Sequence, residues 1–176
     1  MEHIPTIGIT KNTPKEKVLE LAKTDCGTCG FCCKFGGGFV LKEEVQKISD
    51  FLGITEKEFT EKYLTKSERF NTTLLRIRSE KTDKNYGPCI FLDERKGCLI
   101  HEVKPLYCKL GTCKGNGQEL SLWFTLNYFV NPDNPESIRQ YALYLKTHPT
   151  IPGGKLHEIV PDKEKLKKIL NFEIFK

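Results

Sequence analysis

The chain has 176 residues, 38% of them hydrophobic and 29% charged, with a formal net charge of +5. That length predicts one core, hence a single small domain over residues 1–176. The lysines are too dispersed for the clustered footprint of a nucleic-acid-binding surface. The most apolar window, Leu120–Val130, falls well short of the roughly 20 residues of a membrane helix, so no membrane partner is expected. MEHIPTIGIT lacks the basic start and apolar run of a signal peptide. The expected compartment is the cytoplasm, where thiols stay reduced.

In chain order, Thr13-Pro14-Lys15-Glu16 has a capping-box pattern with proline at the first helical position, which predicts a helix over about 14–24. Lys42–Leu52 places Val45, Ile48 and Leu52 on one helical face, and Gly53 is a natural stop. Thr55-Glu56-Lys57-Glu58 is a second capping box and predicts a helix over about 56–64. Thr72–Ser79 alternates as a strand does, and Gly87–Asp93 with Cys98–His101 reads as a short hairpin around a charged turn. A helical turn carries Cys108. Leu120–Val130 is ambiguous: its even positions are apolar as in a strand, while Leu120, Trp123, Phe124 and Asn127 also fit a helical turn. The aromatic content favours the strand. Helices are expected over about 136–146 and 161–170. The fold class expected is α+β: mostly helices, with short strands and a hairpin around a cysteine-rich metal centre.

The chemistry is concentrated in cysteine. Cys26, Cys29, Cys32 and Cys33 fall within eight residues, and Cys89, Cys98, Cys108 and Cys113 form a second block. Bridging the adjacent Cys32 and Cys33 would strain the backbone, and a redox Cys-x-x-Cys would leave six cysteines unexplained. Metal ligation uses all eight, because soft thiolates select zinc, copper(I) or iron–sulfur clusters and four ligands serve one centre. The triple Cys26-x₂-Cys29-x₂-Cys32 has the spacing that holds three corners of a four-iron cluster. Cys33, directed away from Cys32, is free for a second centre. The second block fits zinc no less well. His101 is the one histidine inside the cysteine region and reads as a surface or packing residue.

CGTCGFCC followed by PCIFLDERKGCLIHEVKPLYCKLGTC resembles the CxxCxxCC cysteine-cluster family of zinc- or iron-chelating proteins. That family reads CxxCxxCC, then PCxFLD, then GCxIYExRPxxCRxxxC. The resemblance covers about 26–113 and includes all eight cysteines with Pro88, Phe91, Leu92, Gly97, Ile100, Glu102 and Pro105. His101 stands where the pattern has tyrosine, and Lys104 and Lys109 stand where it has arginine. Lysine lacks the bidentate fork of arginine. The resemblance implies a metal-binding protein, and the family's relation to flagellin lysine methylases implies iron–sulfur chemistry.

The function expected is ligation of an iron–sulfur cluster, zinc, or both, by Cys26, Cys29, Cys32, Cys33, Cys89, Cys98, Cys108 and Cys113. Two alternatives stand beside it: an iron–sulfur-dependent redox or group-transfer enzyme, and a zinc-stabilised module that binds protein or nucleic acid.

Overall fold

Where the sequence offers a helix cap followed by apolar residues at helical spacing, the chain is helical. The computed structural model describes residues 8–22, 30–84, 86–111 and 115–174. In chain order the elements are α1 (Lys15–Ala22), β1 (Phe39–Val40), α2 (Val45–Leu52), α3 (Glu56–Tyr63), β2 (Leu64–Arg69), β3 (Thr72–Ile77), β4 (Leu92–Asp93) and β5 (Gly97–Cys98). They continue with α4 (Leu106–Leu110), α5 (Gly117–Tyr128), α6 (Pro135–Tyr144), α7 (Leu156–Ile159) and α8 (Lys163–Leu170). Single 3₁₀ turns occupy Cys32–Phe35, Lys42–Glu44 and His101–Val103. The class is α+β, with helices and short strands. No helix of the described residues is long and apolar enough to cross a membrane.

Contacts divide the chain into two compact units. One comprises 1–21, 69–72 and 118–176, and the other comprises 22–68 and 73–117. The first holds α6 and α8 in contact and buries Leu120, Leu122, Trp123, Phe124 and Leu126 of α5. This helix replaces the strand expected at Leu120–Val130. It is buried on nearly every side, so it shows no amphipathic period, and its aromatic residues imitate a strand. In the same unit Trp123 donates from Nε1 to the Thr13 carbonyl at 2.9 Å. The Thr13 hydroxyl accepts the Thr10 N–H at 2.9 Å just before α1.

The second unit carries the sheet. Its strand order is β1-β3-β2, with Phe39 opposite Arg76 and Val40 opposite Leu75 in antiparallel register. β4 and β5 form a separate antiparallel hairpin that pairs Leu92 with Cys98 and Asp93 with Gly97. The helix stop at Gly53 is as expected: its φ is 68°, in the left-handed region that glycine adopts without strain. At the second expected box Thr55 caps the helix, its Oγ1 accepting the Glu58 N–H at 3.1 Å, while the Glu58 carboxylate accepts from Lys62 Nζ. One apolar core joins these elements through Val40, Val45, Ile48, Phe59, Leu64, Ile77, Cys89, Phe91 and Ile100. Cys33 and Cys98 pack against it, half-buried.

Candidate functional site

The described cysteines reach their positions through backbone pairing. Beyond β3 the strand direction continues into a bridge between Ser79 and Cys89, with Glu80 N–H donating to the Pro88 carbonyl at 2.8 Å. Cys89 N–H then donates to the Cys33 carbonyl at 2.7 Å, which fixes the 3₁₀ turn Cys32–Phe35 to the start of the second cysteine block. Cys89 itself is buried among apolar side chains. Cys108 lies on α4, and its Sγ occupies the space that a side chain on Gly38 would need. Cys98 closes the β4–β5 hairpin.

These environments give the thiols different acidities. Cys32 is exposed on the turn, and its thiol is brought down to about 6. The main cause is the hydrogen bond from Cys33 S–H, opposed by partial burial and supported by the backbone N–H groups of Cys32 and Cys33 and by the charge of Lys104. Cys33 is pushed upward, first because it is the donor in that bond, then by burial and by the Cys32 charge. Burial raises Cys89, and burial pushes Cys108 up to about 12. A thiolate is the nucleophilic form of cysteine. Of the adjacent pair, Cys32 favours the thiolate and Cys33 the thiol.

One expectation changes here. Cys33 was expected to face away from Cys32 toward another centre; its side chain instead hydrogen-bonds to Cys32. His101, read from sequence as a surface or packing residue, is partly buried with Lys104 Nζ 3.5 Å from its ring Nε2.

A family model whose description reads "Putative zinc- or iron-chelating domain", the CxxCxxCC model, matches residues 25–125, more than half of the chain. No solved structure matches the chain. Thiolates that share a zinc ion each stand about 2.3 Å from one common point. Among the described residues there is no group of three or more His, Cys, Asp or Glu side chains that could hold a metal ion. The expected metal-binding function, with an iron–sulfur cluster, iron or zinc as cofactor, is corrected accordingly, together with the cysteine-rich metal centre in the expected fold. The same finding removes the iron–sulfur enzyme and the zinc-stabilised module. Of the eight cysteines named from sequence, Cys32, Cys33, Cys89, Cys98 and Cys108 are placed as above, one on an exposed turn, others in the core, a hairpin and a helix. Cys26, Cys29 and Cys113 lie outside the described residues.

Sequence reading also missed side chains beside the turn. Phe31, Phe35 and Tyr86 are exposed, and Phe35 makes ring contact with both others, at centroid distances of 5.2 Å to Phe31 and 5.5 Å to Tyr86. The available signal was an aromatic pair straddling Cys32-Cys33 and a tyrosine next to the Gly87-Pro88 turn.

Proposed function

We propose a thiol–disulfide exchange function centred on Cys32, for a chain that belongs to the CxxCxxCC family. The observation that carries it is the exposed position of Cys32 at the start of the 3₁₀ turn Cys32–Phe35, with Cys33 half-buried beside it, and the lowered pKa of Cys32 supports it. In the exchange, the Cys32 thiolate attacks one sulfur of a substrate disulfide. A new Cys32–S bond forms as the substrate S–S bond breaks, and the electron pair leaves with the departing thiolate, which takes a proton from water. A second substrate thiolate reverses the step and frees Cys32. Each half is a two-electron displacement in which the disulfide is the oxidant, so no further co-reactant is needed.

Cys33 keeps its proton throughout and stabilises the resting thiolate by donation. The opposite preferences of the two thiols support that division of roles. Cys89 and Cys108, held protonated by burial, serve as packing residues in this reading.

The test is incubation of the reduced protein with 2-hydroxyethyl disulfide, a neutral probe, followed by peptide mass mapping. The mixed disulfide is expected at Cys32 before any other described cysteine, to be absent in Cys32→Ser, and to form more slowly near neutral pH in Cys33→Ala. Modification distributed evenly over the cysteines would overturn the proposal. So would stoichiometric zinc or iron retained by the protein through purification.

A further inference from the structure

Beside the Cys32–Phe35 turn lies a cavity of about 410 Å³, with Phe35, Arg76, Lys81, Lys84 and Tyr86 among its lining residues. That volume is in the range of small-molecule sites, roughly 300–1,000 Å³. Its charge is lopsided, with three cations against the single carboxylate of Glu80. None of those four charged side chains belongs to an ion pair among the described residues.

The cations are also positioned. Arg76 donates from Nε to the Gly37 carbonyl at 2.8 Å, and its guanidinium carbon stands 5.5 Å from the centre of the Phe39 ring. Lys84 Nζ lies 5.6 Å from the centre of the Tyr86 ring. An anion entering the cavity thus meets a guanidinium already oriented by the backbone, which lowers the ordering cost of binding.

Cys32 is outside the cavity lining, and the turn that carries it reaches the cavity through Phe35. In a 3₁₀ turn the side chains of residues i and i+3 eclipse each other. Cys32 and Phe35 stand in that relation, and Phe35 is part of the cavity wall. Arg76 is close enough to the thiols for its charge to act on Cys89.

We infer that this cavity binds the anionic part of the exchange substrate, so that the substrate class is a small carboxylate-bearing disulfide. The inference rests on the exchange function proposed for Cys32. It assigns Arg76, Lys81 and Lys84 to the carboxylates and Phe35 with Tyr86 to the apolar portion of the ligand. A thiolate by itself repels an anionic disulfide, so a preference for one has to come from the surrounding cations.

The experiment compares rates of Cys32 modification by glutathione disulfide (anionic) and cystamine (cationic), each divided by its rate with free cysteine. The expected result is a preference of about tenfold for the anionic disulfide, weakening as salt is raised. In the double variant Lys81→Glu, Lys84→Glu the preference should fall or reverse. These lysines are exposed and outside any described ion pair, and the circular dichroism spectrum checks that the fold survives. A second measurement does not need the thiol: binding of S-methylglutathione, which cannot exchange, to Cys32→Ser protein by calorimetry. Saturable binding that disappears in the double lysine variant supports the cavity assignment even if Cys32 proves unreactive, in which case the exchange function alone fails. Exchange at Cys32 with no charge preference and no S-methylglutathione binding overturns the cavity assignment and leaves the exchange function standing.

Discussion

Glu44 accepts the Leu106 N–H through Oε1 at 2.7 Å, and its other oxygen accepts the Leu41 N–H at 2.9 Å. One carboxylate thereby joins the 3₁₀ turn before α2 to the first residue of α4, across 62 positions of sequence. Hydrogen bonds to a charged acceptor contribute about 1.5–3 kcal/mol each. Glu44→Ala is expected to destabilise the chain by about 2–3 kcal/mol, read from the denaturant midpoint. Glu44→Gln, which keeps an acceptor but loses the charge, should lie between. Equal midpoints for all three proteins would show that the contact is dispensable.

The acidity of Cys32 gives a pH profile. Its folded-state value of about 6 lies below the ordinary thiol value, so folding favours the thiolate. The associated stabilisation is fully present above the unfolded value, near 8.5, and is lost as pH falls through about 6. Iodoacetamide labelling of Cys32 should rise through a midpoint near 6 and level off by neutrality, whereas an unperturbed thiol keeps rising past pH 8. Cys108 has the opposite sign. Raised to about 12, it favours the protonated form, and its contribution holds below the unfolded value and fades as pH climbs toward 12. Labelling of Cys32 with a midpoint near 8.5 would remove the hydrogen-bonded thiolate from the account.

Gly38 leaves no room for a larger residue. A Cβ there would overlap Cys108 Sγ and sit 3.3 Å from a ring carbon of Tyr107. Overpacking of this kind destabilises by about 1–3 kcal/mol. Gly38→Ala is expected to lower stability by that amount and to raise the labelling rate of Cys108, as α4 is displaced. Gly53→Ala is the comparison at a site with open space but left-handed backbone. It should destabilise without altering Cys108 labelling.

Tyr141 is fully buried, and its hydroxyl donates to the Gly154 carbonyl at 2.9 Å and lies 2.9 Å from Thr150 Oγ1. Removing that oxygen leaves the ring packing against Phe70 but strips both partners. Tyr141→Phe should therefore cost about 1–2 kcal/mol in thermal or chemical unfolding.

Much of the helical framework was legible because its signals are local. Thr55 with Glu58, Gly53 after Leu52, and the spacing of Val45 and Ile48 each act within a few residues. Other elements depend on partners far along the chain. β2 has the polar sequence LTKSER and lies at an edge of its sheet, where charged side chains are favoured and apolar alternation is absent. The turn joining β2 to β3 places Phe70 and Asn71 at φ 50° and 52°, a conformation unusual for phenylalanine. Phe70 is held there by edge contacts with Tyr141 and Tyr144, each at 5.5 Å, and by the Arg69 guanidinium 5.0 Å from its ring centre. No local motif announces those contacts. The thiol site divides in the same way. Its residues could be named from spacing alone, but the pairing of Cys32 with Cys33 depends on the 3₁₀ backbone and could not.

Trp123 is the chain's single tryptophan, and it is buried with its indole N–H bound to Thr13. Its fluorescence therefore reads the unit formed by 1–21, 69–72 and 118–176, while every described cysteine belongs to the other. The molecule carries two separate clocks of its own unfolding, one optical and one chemical. Following emission and thiol labelling in the same denaturant series needs no engineered probe. Coincident curves would mean that the two units melt as one cooperative body, and separated curves would rank them.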